Sequence, residues 1–253
     1  MDNNIIVLET ASNLRARGRA ALAGNWQGAV IASGIFMIFM DLIPGLIRSL
    51  LGWNIATGYS DINFTGSPAP LYTLLMTGPL MLGIAVFFIE LFRHQSTEIN
   101  GIFAGFENFG KSFVLGFVMM VFIFLWSLLL IVPGIIAYFR YSQAFYIMKD
   151  NPDLSAMDCL RESKRIMQGN KGKLFVMTIS FIGWAILAAI PASVYTTIFV
   201  GNNGDPGFFD TMMIFIFGAG SFWLTAYYYS TSVAFYELLK GNISGQVFIS
   251  GQN

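Results

Sequence analysis

Six apolar stretches constrain what this chain can fold into more than any other feature of its sequence. They cover residues 29–51, 71–92, 113–132, 135–148, 174–190 and 212–239. A helix needs about 17–25 apolar residues to cross a hydrocarbon layer of roughly 30 Å, and most of these stretches lie in or near that range. The sequence therefore predicts an all-α, polytopic membrane protein in which residues 1–253 form a single integral membrane domain.

The balance of residue types supports a membrane environment and excludes several classes of function. Of the 253 residues, 55% are hydrophobic and only 11% are charged, whereas soluble domains carry about 25% charged residues. The formal net charge is zero, which gives no reason to expect a nucleic-acid partner. One cysteine and one histidine exclude an intramolecular disulfide bond and a Cys/His zinc site, so no cofactor is expected.

The Pro133-Gly134 pair decides between five and six spans. Residues 113–148 would form one helix of about 54 Å, much longer than a single crossing, unless the chain turns back at this pair. With six spans and a cytoplasmic N-terminus, every Lys and Arg except Arg48 and Arg140 lies on the cytoplasmic side, as the positive-inside rule requires. We therefore expect six helices in three hairpins, with both termini in the cytoplasm. A kinked single helix is the alternative.

A short amphipathic segment precedes each odd-numbered span. The segments are residues 8–24, 97–110 and 155–169, and they end at Gly24, Gly110 and Gly169. We expect three cytoplasmic interfacial helices, and a unit of interfacial helix plus hairpin that occurs three times. The alternative is that any cytoplasmic loop of such a protein is basic and amphipathic. Candidate contacts for anionic lipid headgroups are Arg15, Arg17, Arg19, Arg161, Lys164 and Arg165.

Two charged side chains lie well inside the predicted spans, more than three residues from either end: Asp41 in the first and Arg140 in the fourth. Their depths, about 15 Å and about 9 Å below the outer face, let a long arginine side chain reach the carboxylate. We expect an ion pair between them inside the bundle, with Gln143, Tyr141 and Tyr227 completing a polar cluster. Such a cluster is either a structural clamp that sets helix register or a site for a substrate or lipid headgroup.

Carboxylates at the inner ends of the helices are expected to pair locally. Glu90 is followed by Arg93 and His94 at helical spacing, and Glu237 is followed by Lys240. Surface pairs of this kind contribute little energy. We therefore expect these pairs at the protein surface and outside any functional site.

Several motifs resemble one bacterial membrane-protein family. The motifs are LLLIVPGIIAYFRYSQAFYIMKDNP at residues 128–152, SKRIMQGNKGKLFVMTISFIGW at residues 163–184, the early GNW, FENFGKSF and the closing SVAFYELL. Over nearly the whole chain they resemble the family known as domain of unknown function 975, with a more distant similarity to the membrane domains of some glycerophosphodiester phosphodiesterases. The resemblance implies a six-span, multi-pass protein of the bacterial plasma membrane. It implies no activity and supplies no catalytic residues.

The hydrolase motif G-x-S-x-G and the metalloprotease motif H-E-x-x-H are absent from the sequence. We therefore predict a non-enzymatic protein that binds lipid or a partner and acts in envelope homeostasis or regulation. The alternatives are a small transporter or channel with its polar site at Asp41 and Arg140, and a membrane-embedded enzyme. Expected partners are membrane lipids with anionic headgroups and, as a further option, another membrane protein or a second copy of the chain.

Overall fold

The computed structural model of the protein describes residues 4–51, 68–201 and 206–249. Its α-helices are α1 (Ala11–Leu22), α2 (Trp26–Met37), α3 (Ile43–Leu51), α4 (Ala69–His94), α5 (Ala104–Glu107), α6 (Phe109–Leu129), α7 (Ile131–Tyr141), α8 (Ala144–Asp150), α9 (Ala156–Ile166), α10 (Lys171–Ile179), α11 (Ile182–Tyr195), α12 (Phe208–Phe217) and α13 (Gly220–Lys240). Segments Ile38–Leu42 and Thr196–Val200 are π-helical, and Ile99–Phe103 is a 3₁₀-helix. Strands β1 (Ile5–Val7) and β2 (Val247–Ile249) form a small antiparallel sheet.

The predicted all-α, multi-pass architecture is confirmed at the level of helix length and composition. Among the described residues, four helical stretches are long and apolar enough to cross a membrane: Trp26–Leu51, Ala69–His94, Phe109–Leu129 and Lys171–Val200. Helices α12 and α13 meet at a bend of 56° and make a fifth candidate if they count as one span. The predicted span at residues 135–148 falls on α7 and α8, which are 11 and 7 residues long and separately too short to cross.

A tight turn separates α6 from α7, as the length argument required. The turn falls at Leu130, whose backbone is extended (φ −168°, ψ 156°), and not at Pro133-Gly134. Pro133 instead lies in the first turn of α7. The N–H groups of a first turn make no hydrogen bond within the helix, so a proline is tolerated there. The two helices fold back closely, because a methyl group on Gly134 would overlap the side chain of Ser127.

The first and third predicted interfacial helices form as α1 and α9. Thr10 caps α1 by accepting a hydrogen bond from the N–H of Asn13, and Ser155 caps α9 by accepting one from the N–H of Asp158, both at 3.2 Å. Both helices lead into glycines with a left-handed backbone, Gly24 (φ 83°) and Gly169 (φ 79°). The caps and glycines match pairwise at the same spacing, which supports a repeated unit. The second predicted helix, at residues 97–110, was wrong: this segment holds a 3₁₀-helix, the four-residue α5 and the start of α6, and Gly110 lies inside α6.

Each amphipathic segment packs against a helix of the bundle. Gly18 of α1 lies against Thr231 of α13, and the hydroxyl of Ser230 donates to the Gly18 carbonyl at 2.9 Å. The hydroxyl of Ser163 in α9 donates to the carbonyl of Arg140 at 2.9 Å. Gly83 of α4 lies directly against the backbone of the 3₁₀-helix. The inner halves of α4 and α13, together with α8, therefore form a tightly packed apolar core.

The two ends of the chain lie side by side. Ile5 pairs with Ile249 and Val7 with Val247 in the sheet. The side chain of Asn170, fully buried in the turn between α9 and α10, accepts a hydrogen bond from the N–H of Val7 at 2.8 Å and donates to the Ile5 carbonyl at 2.7 Å. The chain therefore begins and ends on the same face of the helical bundle.

A candidate intramembrane binding cavity

Asp41 lies in a widened turn of the first span, and the local sequence explains the widening. Pro44 has no N–H to donate to the carbonyl four residues earlier, so the regular α-helical pattern cannot continue through it. The chain forms the π-helical segment Ile38–Leu42 instead, and the N–H of Ile43 donates to the Ile38 carbonyl. π-Helical turns inside α-helices are frequent at functional sites because they change where side chains point.

A cavity of about 630 Å³ adjoins this turn. It lies among α2, α3, α11, α12 and α13, and on the first span its lining runs from Met37 to Ser49, a depth of about 18 Å along the helix. Its lining is mostly apolar, and Met37 and Phe222 lie at its inner end. The hydroxyls of Ser49 and Thr211 also line it, but each donates to a carbonyl of its own helix or helix start.

Asp41 and Arg48 are the charged residues that line the cavity within the described part of the chain. They are seven residues apart, so they lie on the same face of the first span and about 10 Å apart along its axis. Both side chains are exposed to the cavity and its opening. Neither takes part in any of the seven ion pairs found among the described residues. The cavity therefore offers one carboxylate and one guanidinium that have no counter-ion among the described residues.

The predicted ion pair between Asp41 and Arg140 was wrong. Arg140 lies on α7, which folds back along α6, and its guanidinium stands 5.5 Å from the ring centroid of Trp126 in a cation–π contact. Asp41 faces α11, α12 and α13 on the other side of the bundle. The sequence did contain a signal for Arg48: it follows Asp41 by two helical turns and therefore lies on the same face of the helix.

The other members of the predicted cluster are also dispersed. Tyr141 packs on Phe122, with ring centroids 5.9 Å apart. Tyr227 lies near the inner end of the first span, where its hydroxyl accepts a hydrogen bond from Arg19 at 2.6 Å. Gln143 is buried in a separate chamber of about 60 Å³ lined by four tyrosines. The structure therefore brings none of these three side chains to Asp41.

The chamber around Gln143 contains a polar atom that lacks a partner. The amide nitrogen of Gln143 donates to the Ser142 hydroxyl at 2.9 Å, but its Oε1 has no hydrogen bond among the described residues. The tyrosines around it are Tyr138, Tyr146, Tyr228 and Tyr229. A polar space of this size has room for one or two water molecules.

A partly buried ionic network joins the inner ends of three helices and replaces part of the predicted surface pairing. Arg93 of α4 binds Asp150 of α8 through two hydrogen bonds of 2.7 and 2.9 Å, and it also binds Glu237 of α13 at 2.6 Å. Glu237 is only 2% exposed. The predicted pairs Glu90–Arg93 and Glu237–Lys240 were therefore wrong, whereas the Glu90–His94 pair forms at 2.7 Å.

The sequence contained a signal for this network. AFY occurs at residues 144–146 and again at residues 234–236, and FFIEL at residues 87–91 resembles AFYEL at residues 234–238. All three segments are buried where α4, α8 and α13 converge. Comparing the ends of the three predicted hairpins with one another would have placed Glu237 in a core instead of on the surface.

Most of the candidate headgroup cations are engaged within the protein. Ion pairs join Arg17 to Glu9, Arg161 to Asp158 and Arg165 to Glu162, at 2.9, 2.8 and 2.6 Å. Arg19 is held by Tyr227. Arg15 and Lys164 form no ion pair with the described residues. The basic faces of α1 and α9 are thus partly neutralised by acidic neighbours.

Together these features define a multi-pass helical membrane protein with a charged cavity in one half of its bundle. The chain belongs to the family described as protein of unknown function (DUF975), which matches it at residues 8–139 and 128–243. The expected similarity to glycerophosphodiester phosphodiesterases is not shown by this comparison. No curated protein matches the chain, and no solved structure matches it.

Proposed function

We propose that the protein binds an amphiphilic ligand with one positive and one negative group in the cavity at Asp41 and Arg48, without changing it chemically. The observation that carries this proposal is a pair of opposite charges in a mostly apolar cavity, neither of which has a counter-ion among the described residues. Charged groups at such depth are costly unless a partner compensates them. A ligand ammonium on Asp41 and a ligand phosphate or carboxylate on Arg48 would supply both partners.

The shape of the cavity supports a binding role. Its volume of about 630 Å³ lies within the range of about 300–1,000 Å³ typical of small-molecule sites. The inner half of the bundle is closely packed, with Phe88, Leu91 and Phe235 fully buried. A cavity that is open at one end and closed by a packed core suits a binding protein better than a continuous channel.

The arrangement that we propose around this site has six crossings. The pairing of β1 with β2 supports an even number of crossings, because it holds residues 5–7 and 247–249 at one face. The four single spans and the bent α12–α13 pair make five, and α7 with α8 supplies the sixth. The contacts of Arg93 with Asp150 and Glu237 support this count, because they place the ends of α4, α8 and α13 at one face. The positive-inside rule places that face in the cytoplasm.

At the cytoplasmic face we propose contacts with anionic lipid headgroups. Arg15 and Lys164 support this part of the proposal, because neither is neutralised by an ion pair among the described residues. A Lys or Arg near an anionic surface contributes about 1 kcal/mol to membrane association. A ligand site on one side and a lipid-bound surface on the other would suit a protein that takes part in the maintenance or regulation of the cell envelope.

The direct test is native mass spectrometry of the purified protein, which detects ligands that remain bound. We expect Asp41→Asn and Arg48→Gln each to lower ligand occupancy about tenfold to hundredfold, because each removes a charged hydrogen bond worth about 1.5–3 kcal/mol. Matched controls are Asp153→Asn and Arg161→Gln, which change exposed charges far from the cavity. Equal occupancy in all four variants and the natural protein would contradict the proposal.

A second candidate function is transport of the same ligand. The two π-helical segments, Ile38–Leu42 and Thr196–Val200, favour it, because interrupted helices are common at the substrate sites of transporters. Reconstitution in liposomes distinguishes the two functions: a transporter moves the ligand across the bilayer and loses this activity in Asp41→Asn, whereas a binding protein retains ligand without flux.

A further inference from the structure

We infer that the ligand is an amine-bearing phospholipid that enters from the side of the bundle, with its headgroup in the charged cavity and its acyl chain in a second groove. This inference rests on the proposed function and names the class of its ligand. The observation behind it is that Arg48 lines two separate hollows, the charged cavity and a larger groove on the other side of the first span.

The groove has a volume of about 1,030 Å³ and lies between the first half of α4 and the length of α6. Its walls include Pro70, Leu74, Phe117, Met120 and Phe124. The lining extends from Gly116 to Ser127 on α6, which is about 16 Å of helix. Met120 and Phe124 are also exposed on the outside of the bundle. The groove is therefore long, lined mainly by apolar side chains, and open toward the surrounding lipid.

The threonine and serine hydroxyl groups that line the groove are already satisfied. Thr73 donates to the Ala69 carbonyl at 3.0 Å, Thr77 to the Thr73 carbonyl at 2.6 Å, and Ser127 to the Ile123 carbonyl at 2.8 Å. Side chains that donate to their own helix offer little to a polar ligand. The groove therefore presents a largely apolar surface with one guanidinium, that of Arg48, at one end.

A phospholipid matches this arrangement in the signs of its charges and in the order of its charged and apolar parts. Along the protein, the sequence of features is the Asp41 carboxylate, the Arg48 guanidinium and then the apolar groove. Along an aminophospholipid, the sequence is ammonium, phosphate and acyl chain. Ammonium on Asp41 and phosphate on Arg48 form charge-assisted hydrogen bonds, and the chain covers apolar side chains. A lipid without the amine leaves the Asp41 carboxylate unpaired.

The test is native mass spectrometry of the protein exchanged into mixtures of defined lipids. We expect phosphatidylethanolamine to be retained about tenfold or more over N-acetyl-phosphatidylethanolamine, in which the ammonium is removed. Asp41→Asn should abolish this preference. Thr73→Trp should fill the groove and lower retention of phosphatidylethanolamine about tenfold, whereas Ile186→Trp, at an exposed position on α11, should leave it unchanged.

Failure of this inference can be told apart from failure of the proposed function. Glycerophosphoethanolamine carries the same headgroup without acyl chains and serves as the second probe. If it binds in an Asp41-dependent way and Thr73→Trp has no effect on lipid retention, the cavity binds a headgroup-like ligand but the lipid assignment is overturned. If neither probe nor lipid responds to Asp41→Asn, the proposed function falls as well.

Discussion

At the scale of single residues, Glu9 joins the two ends of the chain. It is 3% exposed and accepts hydrogen bonds from the side chains of Asn13 and Arg17, both at 2.9 Å, and from the N–H of Gln246 at 3.3 Å. Burial alone raises the pKa of a carboxyl, but these donors outweigh it and hold the pKa of Glu9 below its usual value of 4.5. The ionised form is thus favoured in the folded protein.

Glu9 should contribute stability that depends on pH. A carboxyl with a lowered pKa stabilises the fold above its unfolded value of about 4.5, and the contribution is lost as pH falls through the lower folded pKa. We expect Glu9→Gln to reduce the free energy of unfolding by about 1–3 kcal/mol at pH 7 and by progressively less below pH 4.5. Thermal unfolding in detergent between pH 3 and 7 measures this difference. Glu107→Gln, at an exposed position outside the network, is the control; a pH-independent deficit in Glu9→Gln would contradict the assignment.

The candidate site shows how far single residues can be predicted from sequence. Asp41 was identified because a carboxylate inside an apolar span is conspicuous. Its neighbours could not be predicted from depth alone, since depth does not determine which face of a helix meets which other helix. Arg140 lies at a suitable depth, but α7 presents it to Trp126.

At the scale of helices and their contacts, close backbone approach is the main constraint. A methyl group added to Gly83 would overlap the Ile102 carbonyl oxygen, so the 3₁₀-helix can lie directly on α4 only because this residue has no side chain. Gly172, in the first turn of α10, has nothing within 4 Å of an added methyl group. Both glycines lie in helices, but only Gly83 is packed against another segment, so Gly172 serves as its control.

Alanine substitution at these two glycines should have opposite effects. We expect Gly83→Ala to destabilise the protein by about 1–3 kcal/mol, because the backbones must move apart. Gly172→Ala should be neutral or stabilising by up to about 1 kcal/mol, because alanine favours helix. Thermal unfolding of both variants in the same detergent checks this. Equal melting temperatures for the two would mean that the approach of Ile102 to α4 does not support the fold.

Local sequence predicted some helices well and others poorly, for physical reasons that differ between elements. The boundaries of α1 and α9 follow from Thr10 and Ser155 as caps and from Gly24 and Gly169 as ends, all of which act within one helical turn. The segment at residues 97–110 also has apolar residues at helical spacing. Packing on the glycines of α4 determines its conformation, however, and that contact involves residues distant in the sequence.

At the scale of the whole molecule, three amphipathic segments surround the packed ends of α4, α8 and α13. The second segment packs on α4 and the third on α8, whereas α1 packs on α13. The small sheet closes the same junction. The repeated unit could be suspected from sequence, but this closure could not, because it joins residues more than 200 positions apart.

The proposed six crossings can be tested by labelling single cysteines in a Cys159→Ser background with a membrane-impermeant maleimide. Leu130→Cys and Phe209→Cys lie at helix turns opposite the sheet, and both positions are exposed; we expect both to react in intact cells. Lys164→Cys and Lys240→Cys should react only after permeabilisation, because the junctions after α8 and α13 share a face with the paired termini. Permeabilised cells control for accessibility at all four positions. If Lys164→Cys reacts from the same side as Leu130→Cys, then α7 and α8 do not cross the membrane, and the proposal of six crossings is overturned.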